Sequence, residues 1–194
     1  QYDGEWDRSW YLFEEMFPDA DLNRYTKNEA VKILIKRFAY RNVAINEDMI
    51  KSFYKFSKKE ILTALNEMVL ENILIKYDSG YILNEDMEYL INRKPEKVKS
   101  VYAMQRNDFL VKSNEYWLKE KFKSDEYETL QYLLIDGEFH GATFGKFRYG
   151  PNDLEDIVLD LSDEIATERK DEILQAITDI RVNKKPLRYI GKLI

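Results

Sequence analysis

Residues 57–83, SKKEILTALNEMVLENILIKYDSGYIL, constrain the fold of this chain more than any other stretch. Ser57 and Glu60 match an S-x-x-E capping box, in which the hydroxyl accepts an orphan helix N–H and the glutamate reaches back. Ile61, Leu62, Leu65, Met68 and Val69 then recur at helical spacing and predict an amphipathic helix. Residues 73–77 alternate, Asp78-Ser79-Gly80 supplies turn chemistry, and residues 81–83 resume, which together predict a tight hairpin.

The residues upstream extend the pattern. Thr26 and Glu29 form a second capping box, opening a helix with Ala30, Ile33, Leu34 and Phe38 on one face. Val43-Ala44-Ile45 suits a short strand, and Asn46 caps a brief helix ending near Tyr54. Only Lys55 and Phe56 separate that helix from the one opened by Ser57, a tight helix-turn-helix link. Asn84 is placed to cap a further helix through Asn92. Helix, short strand, two helices and a hairpin is the order of a winged helix-turn-helix, expected over residues 22–94.

Residues 1–21 read separately. Trp6, Trp10, Phe13 and Phe17 form one stripe of an amphipathic helix closed by Pro18. Such a stripe either packs on the chain's own core, covers a further domain, or docks a protein partner. Beyond Arg93-Lys94-Pro95 the period changes, and residues 95–194 are expected to form an antiparallel α+β unit. Strands are expected at 100–108, 128–135, 138–149 and 154–161, with a short helix at 114–122. Asp136-Gly137 is the strongest hairpin signal in the chain. Ser162 is placed to cap a long C-terminal helix reaching about Val182, and residues 187–190 suit an edge strand. The predicted fold class is therefore α+β: a winged helix followed by an antiparallel sheet, or partial barrel, with a long helix against it.

Charge bears on what the chain can bind. The 194 residues carry a formal charge of −6, which excludes a broad nucleic-acid coat. The imbalance is uneven: residues 1–21 sum to −6, residues 22–94 to +3 and residues 95–194 to −3. The cationic third is the one with the winged-helix pattern. The absence of cysteine excludes disulfides and thiolate metal sites and suits the cytoplasm. No apolar run approaches the length of a membrane span, so no membrane role is expected.

Catalytic chemistry finds little support. The single histidine, His140, lies in an alternating strand without a cysteine nucleophile or a second imidazole, so neither a triad nor a zinc site is expected. Residues 141–147, GATFGKF, resemble a phosphate loop, but the spacing is one residue short and Phe147 stands where a magnesium-binding hydroxyl is needed. Those glycines are instead expected to mark bulges or close backbone approach. Asp153, Glu155 and Asp156 read as solvated strand-edge acids. No cofactor and no metal is expected.

Nucleic-acid contact has the better residues. Lys51 and Lys55 share a face of one helix, and Lys58 and Lys59 sit in the first turn of the next, where a helix N-terminus favours anions. Thr63 and Asn66 follow on the outward face, and asparagine can pair bidentately with adenine. Tyr81 belongs to the wing, expected to touch the DNA backbone. Glu60, Glu67 and Glu71 lie on the same helix and oppose phosphate, so a protein-interaction or spacer module with a solvated charged face remains the alternative. Lys146 and Arg148 share a sheet face, with His140 beside them if no bulge intervenes; this is either a second phosphate-facing stripe or an ordinary solvent face.

Residues 64–83, ALNEMVLENILIKYDSGYIL, and 132–150, YLLIDGEFHGATFGKFRYG, together resemble the winged helix plus β-rich module of AlkZ/YcaQ-type DNA glycosylases and of the C-terminal region of Lhr-type ATP-dependent helicases. The resemblance spans roughly residues 5–182. It implies a DNA-binding accessory module of DNA-repair type, acting on duplex or damaged DNA. The helicase ATPase motors are absent from this chain. The glycosylases carry a catalytic Q-x-Q or Q-x-D motif; Gln1-Tyr2-Asp3 matches that pattern at the chain end and is not carried over as catalytic. The expectation is a non-enzymatic DNA-binding module, with partner docking through the N-terminal aromatic helix as the alternative.

Overall fold

The computed structural model describes residues 11–94, 96, 98–146, 153–180 and 186–194. Of the N-terminal stripe, Trp6 and Trp10 lie outside these residues. The part described is a single turn, α1 (Phe13–Met16), with no buried residue. Phe13 and Phe17 touch at a ring separation of 5.0 Å, yet both are about half exposed. Among the described residues neither packs on a core cluster.

Three helices and three short strands follow. α2 (Lys27–Asn42) and α4 (Lys58–Leu70) open with complete capping boxes at Thr26 and Ser57, while the Asn46 side chain caps α3 (Glu47–Tyr54). β1 (Ala44–Ile45), β2 (Leu74–Tyr77) and β3 (Gly80–Leu83) form an antiparallel sheet in the order β1-β3-β2. Gly80 begins β3 rather than completing the turn. A Cβ there would collide with the Ile45 carbonyl oxygen, so the glycine lets β1 approach. Ile35, Phe38, Ile50, Ile61, Leu65, Met68 and Leu74 form the core between these elements. After β3 the chain makes a 3-10 turn at Asn84–Asp86 and then the short α5 (Met87–Asn92). The expected Asn84 side-chain cap does not form.

The second half is an open sheet between two helical layers. β4 (Val101–Gln105), β5 (Glu128–Ile135), β6 (Glu138–Lys146) and β7 (Asp153–Leu159) are antiparallel in sequence order. The sheet is the expected antiparallel one and does not close into a barrel. At Asp136-Gly137 both residues have positive φ, as a two-residue hairpin requires. One face of the sheet carries Tyr132, Phe139, Ala142 and Phe144 against α6 (Phe109–Lys121); the other carries Leu133, Ile135 and Ile157 against α8 (Lys170–Ile180). β8 (Arg188–Tyr189) and β9 (Lys192–Leu193) make a small hairpin beside β7, held by bonds from Leu187 N to Leu154 O and Ile190 N to Ile157 O.

Two departures from expectation have clear causes. The long C-terminal helix is broken at Arg169 into α7 (Asp163–Glu168) and α8, and Val182 lies outside the described residues. The break turns the buried Arg169 guanidinium toward Asp136 at the β5–β6 turn (2.7 Å) and Glu172 (2.8 Å). Second, α6 starts at Phe109 instead of residue 114. Asp108, expected to end a strand, is its cap and accepts the Leu110 N–H at 2.9 Å.

That earlier start puts Phe109 into the core of the first half, where its ring lies 5.2 Å from Phe53 and 5.8 Å from Phe38. α6 thus serves both cores, with Val111, Leu118 and Phe122 on the sheet side. Among the described residues no helix is long and apolar enough to cross a membrane.

Two outcomes are expected. Phe109→Ala removes the shared ring and lowers unfolding free energy by about 3 kcal/mol in denaturant titration. The second concerns pH. Asp136 is held below the usual carboxylate range first by the Arg169 hydrogen bond and then by the Ser100 N–H. A pKa lower in the folded chain contributes stability above the unfolded value and loses it as pH falls through the folded one. Asp136→Asn, which keeps the left-handed turn, should therefore flatten the loss of thermal stability below about pH 4.

Candidate nucleic-acid interface

The helix-turn-helix is made by two local devices. Lys55 ends α3 in the left-handed conformation (φ 59°), which turns the chain sharply. Ser57 then accepts the Glu60 N–H, and its own N–H donates to the Glu60 carboxylate at 2.9 Å. The Glu60 pKa falls to about 2, driven first by Lys27 and then by the Ser57 hydroxyl and backbone.

The α4 glutamates do not occupy the outward face. Glu60 pairs with Lys27 of α2. Glu67 accepts from Asn28 at 2.8 Å and lies 3.2 Å from Lys32, which also bonds Glu71 at 2.6 Å. These hydrogen bonds hold Glu67 below the usual range, and the Glu71 bond in turn raises Lys32. The acids that were expected to repel phosphate are therefore turned toward α2 and neutralised there. Lys59, Thr63, Asn66 and Leu70 remain exposed along one stripe. Leu70 is 83% exposed and was not foreseen as part of this face, although its spacing from Asn66 places it there.

Lys51, Lys55, Lys58 and Lys59 are exposed, and none forms an ion pair among the described residues. They do not converge on one point. Lys51 and Lys55 border a hollow between α3 and α6, together with Phe56, Tyr116 and Lys119. Lys58 borders another, between the start of α3 and the β2–β3 hairpin, where Lys76 joins it. Lys76 was not foreseen as a site residue: alternation gives it the face of the core residue Leu74, and only the sheet brings it beside Lys58. Tyr81 lines the same hollow but packs half-buried on the core, and burial pushes its hydroxyl pKa up. The exposed aromatic near the hairpin tip is Tyr77.

The second expected stripe is not assembled as foreseen. β6 is bulged at His140: Leu133 pairs with Gly141 and Leu134 with Phe139, leaving His140 without a partner on β5. The alternation therefore shifts between His140 and Lys146, and the histidine ring faces the Asp160 carbonyl oxygen at 3.1 Å. Gly141 supplies the close approach expected of it, since a Cβ would lie 2.7 Å from the Val158 carbonyl oxygen. Lys146 is exposed at the end of β6, and Arg148 lies outside the described residues. Asp156 is structural: its carboxylate accepts the Gly191 N–H at 3.1 Å, anchoring the β8–β9 turn.

Chemically, this surface offers four ammonium groups at a helix-turn-helix and a small polar-to-apolar stripe beside them. That set can hold phosphates and touch base edges. Ser57→Ala should cost about 1 kcal/mol in thermal or denaturant unfolding through loss of the α4 cap.

No protein-family model matches the chain, and no curated protein matches it. Among solved structures, the DNA glycosylase AlkZ of Streptomyces sahachiroi has a similar fold, with a TM-score of 0.51 and 13% sequence identity. The match covers 85% of this chain and 47% of AlkZ, so the chain spans about half the length of that protein. At this identity the likeness is one of fold: the chain has a DNA-glycosylase-like α+β architecture.

Proposed function

We propose that this chain is a DNA-binding accessory module of DNA-repair type, a winged helix over residues 22–94 joined to an α+β domain over residues 95–194. The observation that carries the reading is the sorting of charge on the helix-turn-helix. Every α4 glutamate is bound by α2, while Lys51, Lys55, Lys58 and Lys59 have no acidic partner among the described residues. Lysines held exposed and unpaired keep their charge available for phosphate. The similarity of fold to a DNA glycosylase supports repair as the setting, and the lack of cysteine suits a cytoplasmic protein. The resemblance of residues 64–83 and 132–150 to the C-terminal region of Lhr-type helicases, read from the sequence alone, suits the same accessory role.

In this reading the four lysines fix the backbone, Thr63 and Asn66 face base edges, and the hairpin around Tyr77 and Tyr81 lies along a neighbouring phosphate row. Base excision is not assigned to the chain. Abasic sites formed in alkylated duplex DNA by the purified protein would add that activity.

A second reading has its own observation. Tyr11, Leu12, Phe13, Met16 and Phe17 are all about half exposed or more, an apolar segment with no core beneath it. Such a patch suits a protein partner or a further domain. Binding to labelled duplex at about 50 and 200 mM salt separates the two. The DNA reading expects affinity to fall steeply with salt, and Lys58→Glu with Lys59→Glu to weaken binding at least tenfold and to lower the log–log salt slope by about 2. Equal binding by the double variant and the parent would overturn the assignment of α4.

A further inference from the structure

We infer that the phosphate-contacting surface continues from the helix-turn-helix across α6 into the second half, so that one DNA duplex lies over the seam between the two units. The inference rests on the DNA-binding reading above and extends it to residues outside the winged helix.

The observation is that two hollows share a wall. The first lies between α3 and α6 and is bordered by Lys51, Lys55 and Lys119. The second lies on the far side of α6, toward the start of β5, and is bordered by Arg106, Lys112, Lys119 and Lys123. Glu115 and Lys119 line both, so the two join over α6 into one track. Asn46 of α3 donates to the Tyr116 hydroxyl at 3.3 Å, and Phe109 is seated in the first core, so α3 and α6 are fixed relative to each other.

The charge along this track differs from that of the chain. Six cations border it against four carboxylates, in a protein whose total is −6. Burial works to raise the Glu115 pKa, but Lys112 at 2.9 Å and Lys119 at 3.0 Å outweigh it and hold the acid ionised. Glu115 therefore orients two lysines and leaves a net positive charge around itself. Lys51 and Lys55 at one end and Lys123 at the other have no ion pair among the described residues. Asp48, Glu120 and Glu128 sit along the same track, which makes it a row of discrete phosphate contacts and not a uniformly positive groove. A duplex backbone presents phosphates in such a row, whereas a single anion would need only one of the hollows.

The test uses the whole chain and a duplex of about 20 base pairs, long enough to cover a winged helix and its flank. Lys119→Glu with Lys123→Glu is expected to weaken binding at about 50 mM salt at least tenfold and to reduce the salt slope by about 2. Lys123→Glu alone breaks no ion pair and is expected to reduce the slope by about 1, which guards against misfolding of the double variant. Lys192→Glu, the same change of charge on β9, which borders neither hollow, is expected to bind like the parent. If both track variants bind like Lys192→Glu while Lys58→Glu with Lys59→Glu binds weakly, the track is wrong and the helix-turn-helix reading survives. If the parent itself binds no DNA, both fall.

Discussion

The aromatic joint made by Phe38, Phe53 and Phe109 is the contact on which the arrangement of the chain depends. Phe38 comes from α2, Phe53 from α3 and Phe109 from α6, and the three rings meet at 5.1 to 5.8 Å. Tyr54 closes the cluster against Phe38 at 5.5 Å and donates its hydroxyl to the Leu34 carbonyl oxygen. Tilted and edge-on rings at these distances contribute beyond the area they bury. Because α6 also carries Leu118 and Phe122 against the sheet, the joint ties the sheet to the helix-turn-helix. Together with the Asn46–Tyr116 hydrogen bond it seats α6 against α3, and the surface that runs between the two halves depends on that seating.

Charge is arranged as consistently as apolar area. α4 buries Ile61, Leu65 and Met68, turns its glutamates toward α2, and leaves its lysines outward. In the second half, the buried Arg169 holds the β5–β6 turn and the start of α8 together through Asp136 and Glu172. Such internal ion pairs contribute little net stability once desolvation is counted, but removing one partner leaves the other exposed to the full cost. Their effect here is to specify geometry: the α4 acids are taken up against α2, and Lys51, Lys55, Lys58 and Lys59 are left facing solvent.

Local chemistry was largely legible in the amino-acid sequence. Thr26, Asn46 and Ser57 cap the helices they were expected to cap, and β5 runs over Glu128–Ile135 as its alternation predicted. These depend on contacts between near neighbours. The errors fall where distant residues decide. Asp108 continues an alternating pattern and also suits a helix cap, and the pocket waiting for Phe109 selects the cap. Arg169 lies on a helical stripe, yet the helix is interrupted there, where its guanidinium pairs with Asp136 of a distant turn. The side of α4 taken by its glutamates was invisible because Lys27, Asn28 and Lys32 are distant in sequence. His140 was expected to share the face of Lys146 only if no bulge intervened, and the pairing of β6 with β5 places a bulge there.

The measurement that bears most directly on the central claim is hydrogen exchange along the whole chain, free and saturated with duplex DNA. The account predicts added protection at residues 51–66, at the β2–β3 hairpin and at residues 106–123, with little change at α1 or β9. Protection confined to the aromatic segment around Phe13 and Phe17, with α3 and α4 exchanging as in the free protein, would contradict it.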